Sequence, residues 1–114
     1  MAIDLTYLQE ITGGDPDVMQ EMLDLFIRDI PTQLETVKEF YDQKNYKGVG
    51  SEAHKLKPTL QYIGNTEMYE LIKQIEFSGK NETDVDQIAE LLDRLFQQLD
   101  GTIELLQAKR AELD

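Results

Sequence analysis

Apolar residues recur along this chain with the spacing of α-helices, and no segment alternates apolar and polar residues as a β-strand would. The clearest helical stripe has spacings of 4, 3, 4 and 3 residues and consists of Val49, Ala53, Leu56, Leu60 and Ile63. Asn45 is a suitable N-cap before this stripe, and Gly64 is a suitable stop after it. The pattern therefore predicts a helix from Asn45 to about Ile63 with one face in the core.

Further helices are predicted before this stripe. A short first helix is expected from about Asp4 to Ile11, ended by Gly13-Gly14. Asp15-Pro16-Asp17 supplies a capping carboxylate and a proline at the first helical position, so it predicts the start of a second helix. Pro31 is expected to break or kink that helix. Apolar spacing beyond Pro31 then predicts a third helix, marked by Leu34, Val37, Phe40 and Tyr41.

Two more helices are predicted after Gly64. Thr66 opens one of them, and the sequence Ser78-Gly79-Lys80-Asn81 is expected to form the turn that ends it. A final helix from about Thr83 carries a long narrow stripe of Val85, Ile88, Leu92, Leu95, Leu99, Ile103 and Leu106. Such a stripe needs partners along its whole length. The predicted fold is all-α: one domain over residues 1–114, an antiparallel four-helix bundle with additional short N-terminal helical segments.

Composition narrows the classes of function. The absence of cysteine excludes disulfides, thiolate metal sites and a cysteine nucleophile, and it fits a reducing compartment. The amino terminus lacks the basic and apolar regions of a signal peptide, and no stretch approaches the roughly 20 apolar residues of a membrane span. We therefore expect a cytoplasmic protein without membrane contact. The net charge of −12 argues against a nucleic-acid partner, since phosphate backbones need a basic surface.

The only histidine, His54, is the strongest candidate for chemistry. On a helix it lies well off the apolar stripe, in a group with Lys47, Gly50, Lys57, Pro58 and Gln61. We therefore expect its imidazole to face water or a partner. Among these side chains, only histidine has an ordinary pKa that leaves a neutral nitrogen nucleophile near pH 7.

The neighbourhood of His54 is locally basic. Between residues 44 and 57 there are four of the eleven cations (Lys44, Lys47, Lys55 and Lys57) and one acid, Glu52. A basic window in an acidic protein indicates a small anion or an acidic pocket on a partner. The alternative is a solvated helix face with a chance excess of lysine.

Gly50 and Pro58 lie one turn before and one turn after His54. Inside a helix they are unfavourable, by about 1 and about 3 kcal/mol relative to alanine. Neither would shade the His54 ring, so we interpret both as giving access to it. Lys57 lies one turn along, within reach of phosphoryl oxygens on a modified imidazole. This face is consistent with a surface that carries a phosphoryl group.

Other chemistries fit the sequence less well. One histidine without cysteine does not make a transition-metal site without a carboxylate cluster, and helix capping explains Asp15 and Asp17 better than calcium binding does. Ser51 precedes His54 by three residues but lacks the surroundings of a nucleophilic serine. Gly48 and Gly50 do not form a phosphate-binding loop. We therefore expect no metal site.

The segment Ala53-His54-x-Leu56-Lys57, followed by Gly64 ten residues after the histidine, resembles the motif of the histidine-containing phosphotransfer (HPt) domain family. The resemblance covers essentially the whole chain. It implies that His54 accepts a phosphoryl group from an aspartyl phosphate on a receiver domain and passes it to another receiver. It also implies that Lys57 steadies the phosphoryl group. A polar residue about 22 positions on, here Glu76, would hydrogen-bond the imidazole. The implied partners are a response-regulator receiver domain, a hybrid histidine kinase, or both.

Two positions depart from the family pattern. Pro58 stands where the family usually has glycine; it keeps the lack of bulk and should bend the helix near residues 54–58. The alternative is that one helix stops near Lys57 and another begins at Pro58. Glu76 stands where the family often has an amide. A carboxylate there favours imidazolium and repels phosphate, so a plain salt bridge or a solvated position is the alternative role for Glu76.

The chain shows no nucleotide loop, metal cluster or obvious general base. We therefore expect a monomeric phosphocarrier without a cofactor, not an enzyme, with the receiver supplying magnesium and the catalytic groups. The main alternative is a helical adaptor that docks a signalling partner through the His54 face without being phosphorylated. An independent enzyme would instead need turnover without a partner protein.

Overall fold

A computed structural model describes residues 2–113, and this part of the chain forms five helices. They are α1 (Thr6–Thr12), α2 (Pro16–Asp42), α3 (Tyr46–Tyr62), α4 (Thr66–Asn81) and α5 (Gln87–Glu112). Packing runs in a ring, with α3 between α2 and α4, and α5 between α4 and α2. The four long helices form a bundle, and the short α1 packs on α2 at one end. The predicted all-α class is confirmed.

The predicted stripes form the core. All five apolar residues of the α3 stripe are completely buried. On the final stripe, Ile88, Leu92, Leu95 and Leu106 are buried, while Val85, Leu99 and Ile103 are partly buried against the same core. His54 therefore lies outside the buried stripe of α3, as its position on the helix predicts.

Side chains cap three of the helices, and the sequence indicates the first two of these caps. The Asp15 carboxylate accepts hydrogen bonds from the backbone N–H groups of Asp17 and Val18 at the start of α2. Asn45 accepts from Gly48 N at 3.0 Å at the start of α3. Asn65 caps α4 in the same way. Each cap satisfies a backbone donor that has no partner within its helix.

Gly64 ends α3 with a φ of +67° and also admits the N-terminal segment. A Cβ atom built on Gly64 would lie 2.8 Å from Asp4 N, so the backbone of Asp4 passes directly over this glycine. Asp4 N donates a hydrogen bond to Ile63 O at 2.9 Å. On α1 itself, the Tyr7 ring stacks on Tyr62 with centroids 5.7 Å apart. These contacts fix the N-terminal segment to the end of α3.

The expected break at Pro31 is wrong, because α2 continues through it for 27 residues. The apolar stripe of α2 stays in phase across the proline and comprises Met19, Leu23, Phe26, Ile30, Leu34 and Val37. A proline inside a helix costs about 3 kcal/mol, whereas full burial of each large aliphatic side chain contributes about 1.5–3 kcal/mol. Burial of Leu34 and Val37 on a continuous helix offsets that cost. Whether α2 is kinked there stays a prediction.

The expected turn at residues 78–81 is also wrong. Ser78 and Gly79 are buried inside α4. The helix continues to Asn81, and the chain turns at Glu82, which has a φ of +50°. The final helix consequently begins at Gln87 instead of about Thr83. Gly79 has a packing role that its sequence context does not show, since it faces α3. Along residues 2–113, no helix has the length and apolarity needed to cross a membrane.

Candidate functional site

His54 lies on α3 with 61% of its side chain exposed, and a residue from the neighbouring helix holds its ring. Its Nδ1 lies 2.5 Å from Oε2 of Glu76 on α4. In contrast to His54, Glu76 is buried, with 8% of its side chain exposed. The spacing of 22 residues along the chain thus becomes a direct contact between α3 and α4.

Glu76 is ionised at neutral pH. Burial, the largest single influence, raises the pKa of this carboxyl, but hydrogen bonds from Lys57 and His54 and the charges of Lys57 and Lys80 outweigh it. The net effect is a pKa below the ordinary value of 4.5. An ionised carboxylate only accepts hydrogen bonds, so Nδ1 of His54 must carry the proton in this contact. In the neutral imidazole the lone pair is then on Nε2.

Two lysines also contact this carboxylate. Lys57 Nζ lies 2.6 Å from Oε1 of Glu76, and 27% of the Lys57 side chain is exposed. The hydrogen bond to Glu76 raises the pKa of Lys57. Lys80 Nζ lies 3.5 Å from Oε2, the oxygen that also holds His54, and 55% of the Lys80 side chain is exposed. The site therefore consists of one buried anion, two lysines and one imidazole.

Lys80 is the member of the Glu76 cluster that the sequence does not indicate. The sequence predicts a turn at Lys80, whereas this residue lies on the last turn of α4, four residues after Glu76. Residues four apart on a helix lie on the same face. Once Glu76 is placed beside His54, a cation at position 80 follows from that spacing.

The structure gives Gly50 a different environment from the one expected. Gly50 is buried at the crossing of α3 and α4 and is therefore not open to a partner. A Cβ on Gly50 would lie 2.8 Å from Lys80 N, and one on Gly79 would lie 2.6 Å from Gly50 N. The two glycines therefore allow the two helix backbones to approach closely. This packing accounts for Gly50 without reference to a partner.

Pro58, Gln61 and Lys47 are exposed, and the structure does not bring them into the Glu76 cluster. Helix α3 is continuous through Pro58 and its stripe stays in phase, so the helix does not stop there; the expected bend stays a prediction. Gln61 faces a shallow cavity beside α1, together with Tyr7 and Gly64. Lys47 lies 3.7 Å from Glu82.

Within residues 2–113, no three histidine, aspartate or glutamate side chains are grouped so as to hold a metal ion.

Comparison with known proteins identifies the family. The family model of the Hpt domain matches residues 21–109, which include α3, α4 and most of α2 and α5. The chain therefore belongs to the Hpt domain family, which confirms the resemblance of its histidine motif. Comparisons with curated proteins and with solved structures found no match. Membership in this family implies a phosphotransfer role in phosphorelays, in which such domains are phosphocarrier modules that interact with receiver domains or kinases.

Proposed function

We propose that this protein is a phosphorelay intermediate whose His54 accepts a phosphoryl group from the aspartyl phosphate of one receiver domain and delivers it to another. One observation carries the proposal. A buried, ionised Glu76 holds Nδ1 of an imidazole that is otherwise exposed. Glu76 thereby fixes the ring orientation and the tautomer that keeps Nε2 nucleophilic. A nucleophile that is already oriented lowers the entropic part of the barrier to reaction.

In the forward step the lone pair of Nε2 attacks the phosphorus of the aspartyl phosphate. The N–P bond forms while the P–O bond to the receiver aspartate breaks, and the aspartate leaves as a carboxylate. The proton on Nδ1 stays between the ring and Glu76, so the phosphorylated ring is a phosphoimidazolium. The return step reverses these changes on a second receiver, and imidazole leaves with its Nδ1 proton.

Glu76 favours both steps through this proton. A neutral imidazole is a much better leaving group than an imidazolate, so a carboxylate that keeps Nδ1 protonated assists delivery of the phosphoryl group. The same carboxylate stabilises the positive charge that develops on the ring during attack. The departure from the family's usual amide thus favours transfer electrostatically, while the nearby lysines offset the repulsion between Glu76 and the phosphoryl group.

The partner supplies the rest of the chemistry. Receiver domains bring the divalent metal that the aspartyl phosphate needs, and this chain brings the nucleophile. Their acidic metal-binding pocket would meet a protein with a net charge of −12, so local cations matter for the encounter. Lys47, Lys57 and Lys80 lie on the helices that present His54 and provide this local positive charge. We infer that the protein acts as a substrate of receivers and kinases and not as an independent enzyme, that it is a monomer and that it works in the cytoplasm.

The test is phosphoryl transfer from a panel of phosphorylated receiver domains. We expect rapid, acid-labile and base-stable labelling of the wild-type chain and no labelling of His54→Gln. The variant should keep its helical circular dichroism and its melting temperature, because His54 is 61% exposed and lies off the core. Equal labelling of the variant would overturn the assignment. Binding of a receiver without labelling would favour the adaptor function instead.

A further inference from the structure

We propose that Lys80, and not Lys57, binds the phosphoryl oxygens on His54, while Lys57 stays paired with Glu76 as a positioning residue. This inference rests on the proposed function, because it concerns the phosphorylated state of the same histidine. It differs from the family resemblance, which implies that Lys57 steadies the phosphoryl group. Three observations on the two lysines and one argument from charge support it.

Lys57 forms a close ion pair with Glu76. Its Nζ lies 2.6 Å from Oε1, and no other group within residues 2–113 hydrogen-bonds that oxygen. The carboxylate is 8% exposed and the Lys57 side chain 27% exposed, so little water is available to replace the ammonium. Removing one partner of a buried ion pair leaves an uncompensated buried charge, which is strongly unfavourable. Movement of Lys57 toward a phosphoryl group would incur this cost.

Lys80 is less tightly bound. Its Nζ lies 3.5 Å from Oε2, which is too far for a strong charge-assisted hydrogen bond. The same oxygen already accepts the much shorter contact from His54 Nδ1. With 55% of its side chain exposed, Lys80 can change rotamer with little loss of packing. If Lys80 leaves, Glu76 still has one close donor on each of its oxygens.

The side chain of Lys80 begins next to α3, beside Gly50. Its backbone N and its Cγ would lie 2.8 and 3.0 Å from a Cβ on Gly50. Gly50 is one turn before His54 on α3, and a helical side chain leans toward the N-terminus of its helix. The Lys80 stem therefore lies beside Gly50, on the part of α3 toward which the His54 ring leans. The missing side chain of Gly50 leaves the space for it.

Charge provides the reason for a mobile cation. A phosphoryl group adds about −1.5 to −2 charges at pH 7, next to the buried anion Glu76. A lysine that moves from Glu76 to the phosphoryl oxygens lowers this repulsion when it arises. Lys57 and the protonated Nδ1 continue to neutralise Glu76. The two lysines thus have separate roles: Lys57 positions the carboxylate and Lys80 follows the phosphoryl group.

The test phosphorylates the full chain with phosphoramidate, a small donor that needs no receiver, and also with a phosphorylated receiver. A 31P NMR titration then measures the pKa of the phosphoryl group on His54. We expect Lys80→Met to raise this pKa by about 0.5–1 unit, because a nearby cation favours the dianion. Lys73→Met is the matched control, since it removes the same charge from an exposed position of α4. It should leave the phosphoryl pKa close to the wild-type value.

Lys57→Met separates the two roles. We expect it to alter the 15N signals of the unmodified His54 ring, which report the tautomer, and to change the phosphoryl pKa less than Lys80→Met does. Lys80→Arg should restore the wild-type phosphoryl pKa. A larger pKa change in Lys57→Met than in Lys80→Met would overturn the proposal. So would equal pKa values for Lys80→Met and Lys73→Met.

The two donors distinguish failure of this inference from failure of the proposed function. Labelling by phosphoramidate without labelling by any receiver would count against the relay function and would still test the lysines. Labelling by receivers with no effect of Lys80→Met would overturn only the role of Lys80. Lack of labelling of His54 by both donors would overturn both proposals. Circular dichroism of each variant checks that the helices remain folded.

Discussion

The carboxylate of Glu76 divides its two oxygens between two residues of α3: Oε2 faces Nδ1 of His54 at 2.5 Å, and Oε1 accepts from Nζ of Lys57 at 2.6 Å. Each contact limits the movement of the carboxylate about its own axis. The orientation of the imidazole is therefore set by α4 as well as by its own helix. This relationship allows a direct test of what the carboxylate contributes.

Glu76→Gln is expected to slow transfer from a phosphorylated receiver by about tenfold or more, since tenfold corresponds to about 1.4 kcal/mol, the scale of one charge-assisted hydrogen bond. An amide presents either its oxygen or its NH2 group to Nδ1, so the ring tautomer is no longer fixed. Initial rates of transfer, with 15N NMR of the imidazole, measure both effects. Glu70→Gln, an exposed position on α4, is the control. An unchanged rate in Glu76→Gln would show that the carboxylate is dispensable.

The pH dependence of stability should also depend on Glu76. Its pKa is lower in the folded chain than its ordinary value of 4.5, so the folded state binds fewer protons there than the unfolded chain does. Its contribution to the free energy of unfolding is then fully present above that value and is lost as pH falls through the lower, folded pKa. Urea unfolding of the wild type and of Glu76→Gln from pH 7 to pH 3 measures it. The difference in stability should shrink in the acid range; a constant difference would contradict the shifted pKa.

Gly79→Ala should destabilise the bundle although alanine favours helix formation. Its Cβ would lie 2.6 Å from Gly50 N and 2.7 Å from Tyr46 O, so α3 and α4 must move apart. Overpacking of this kind costs about 1–3 kcal/mol, against a gain of about 1 kcal/mol in helix propensity. Thermal unfolding measures the balance, and Ser51→Ala on the exposed side of α3 is the control.

Gly50→Leu should have a still larger effect on stability than Gly79→Ala, because a leucine has no space against Lys80. From the sequence, this substitution is expected to block a partner with the fold intact. The buried position of Gly50 changes that prediction to loss of the fold. Normal stability of Gly50→Leu would show that the helices separate at little cost.

Lys47→Glu should slow transfer from receivers through association. Lys47 is 74% exposed and only loosely paired with Glu82, and a glutamate at position 47 would add repulsion toward an acidic receiver pocket. We expect a several-fold lower association rate at low ionic strength and a smaller difference at high salt. Lys109→Glu, near the C-terminal end of α5, makes the same change in net charge and serves as the control. Equal rates for the two variants would remove Lys47 from the docking surface.

The sequence predicted the parts of this structure that depend on local pattern. The stripe through Leu56 and Leu60 and the off-stripe position of His54 follow from helical spacing alone. The capping roles of Asp15 and Asn45 follow from side-chain chemistry at single positions. Glu76 was reached through the family resemblance, which relates two positions 22 residues apart.

The parts that could not be predicted depend on contacts between distant segments. Gly50 and Gly79 are 29 positions apart, and each alone is typical of a loop or of an open surface. Only the crossing of α3 and α4 shows that they pack against each other. Because the sequence predicts a turn at Gly79, it also does not indicate that Lys80 lies on a helix beside Glu76. The sequence predicts a helix break at Pro31, because the energy that offsets the cost of this proline comes from tertiary burial of residues further along the helix.

The single exposed nitrogen of His54 also limits how many partners can react with this domain at the same time. With Nδ1 turned inward, His54 has one remaining point of attack, so a donor and a recipient of the phosphoryl group must occupy it in turn and never together. The first partner has to leave before the second arrives. In the proposed relay, one complex must therefore dissociate before the next forms, and excess unphosphorylated receiver would compete for the same surface.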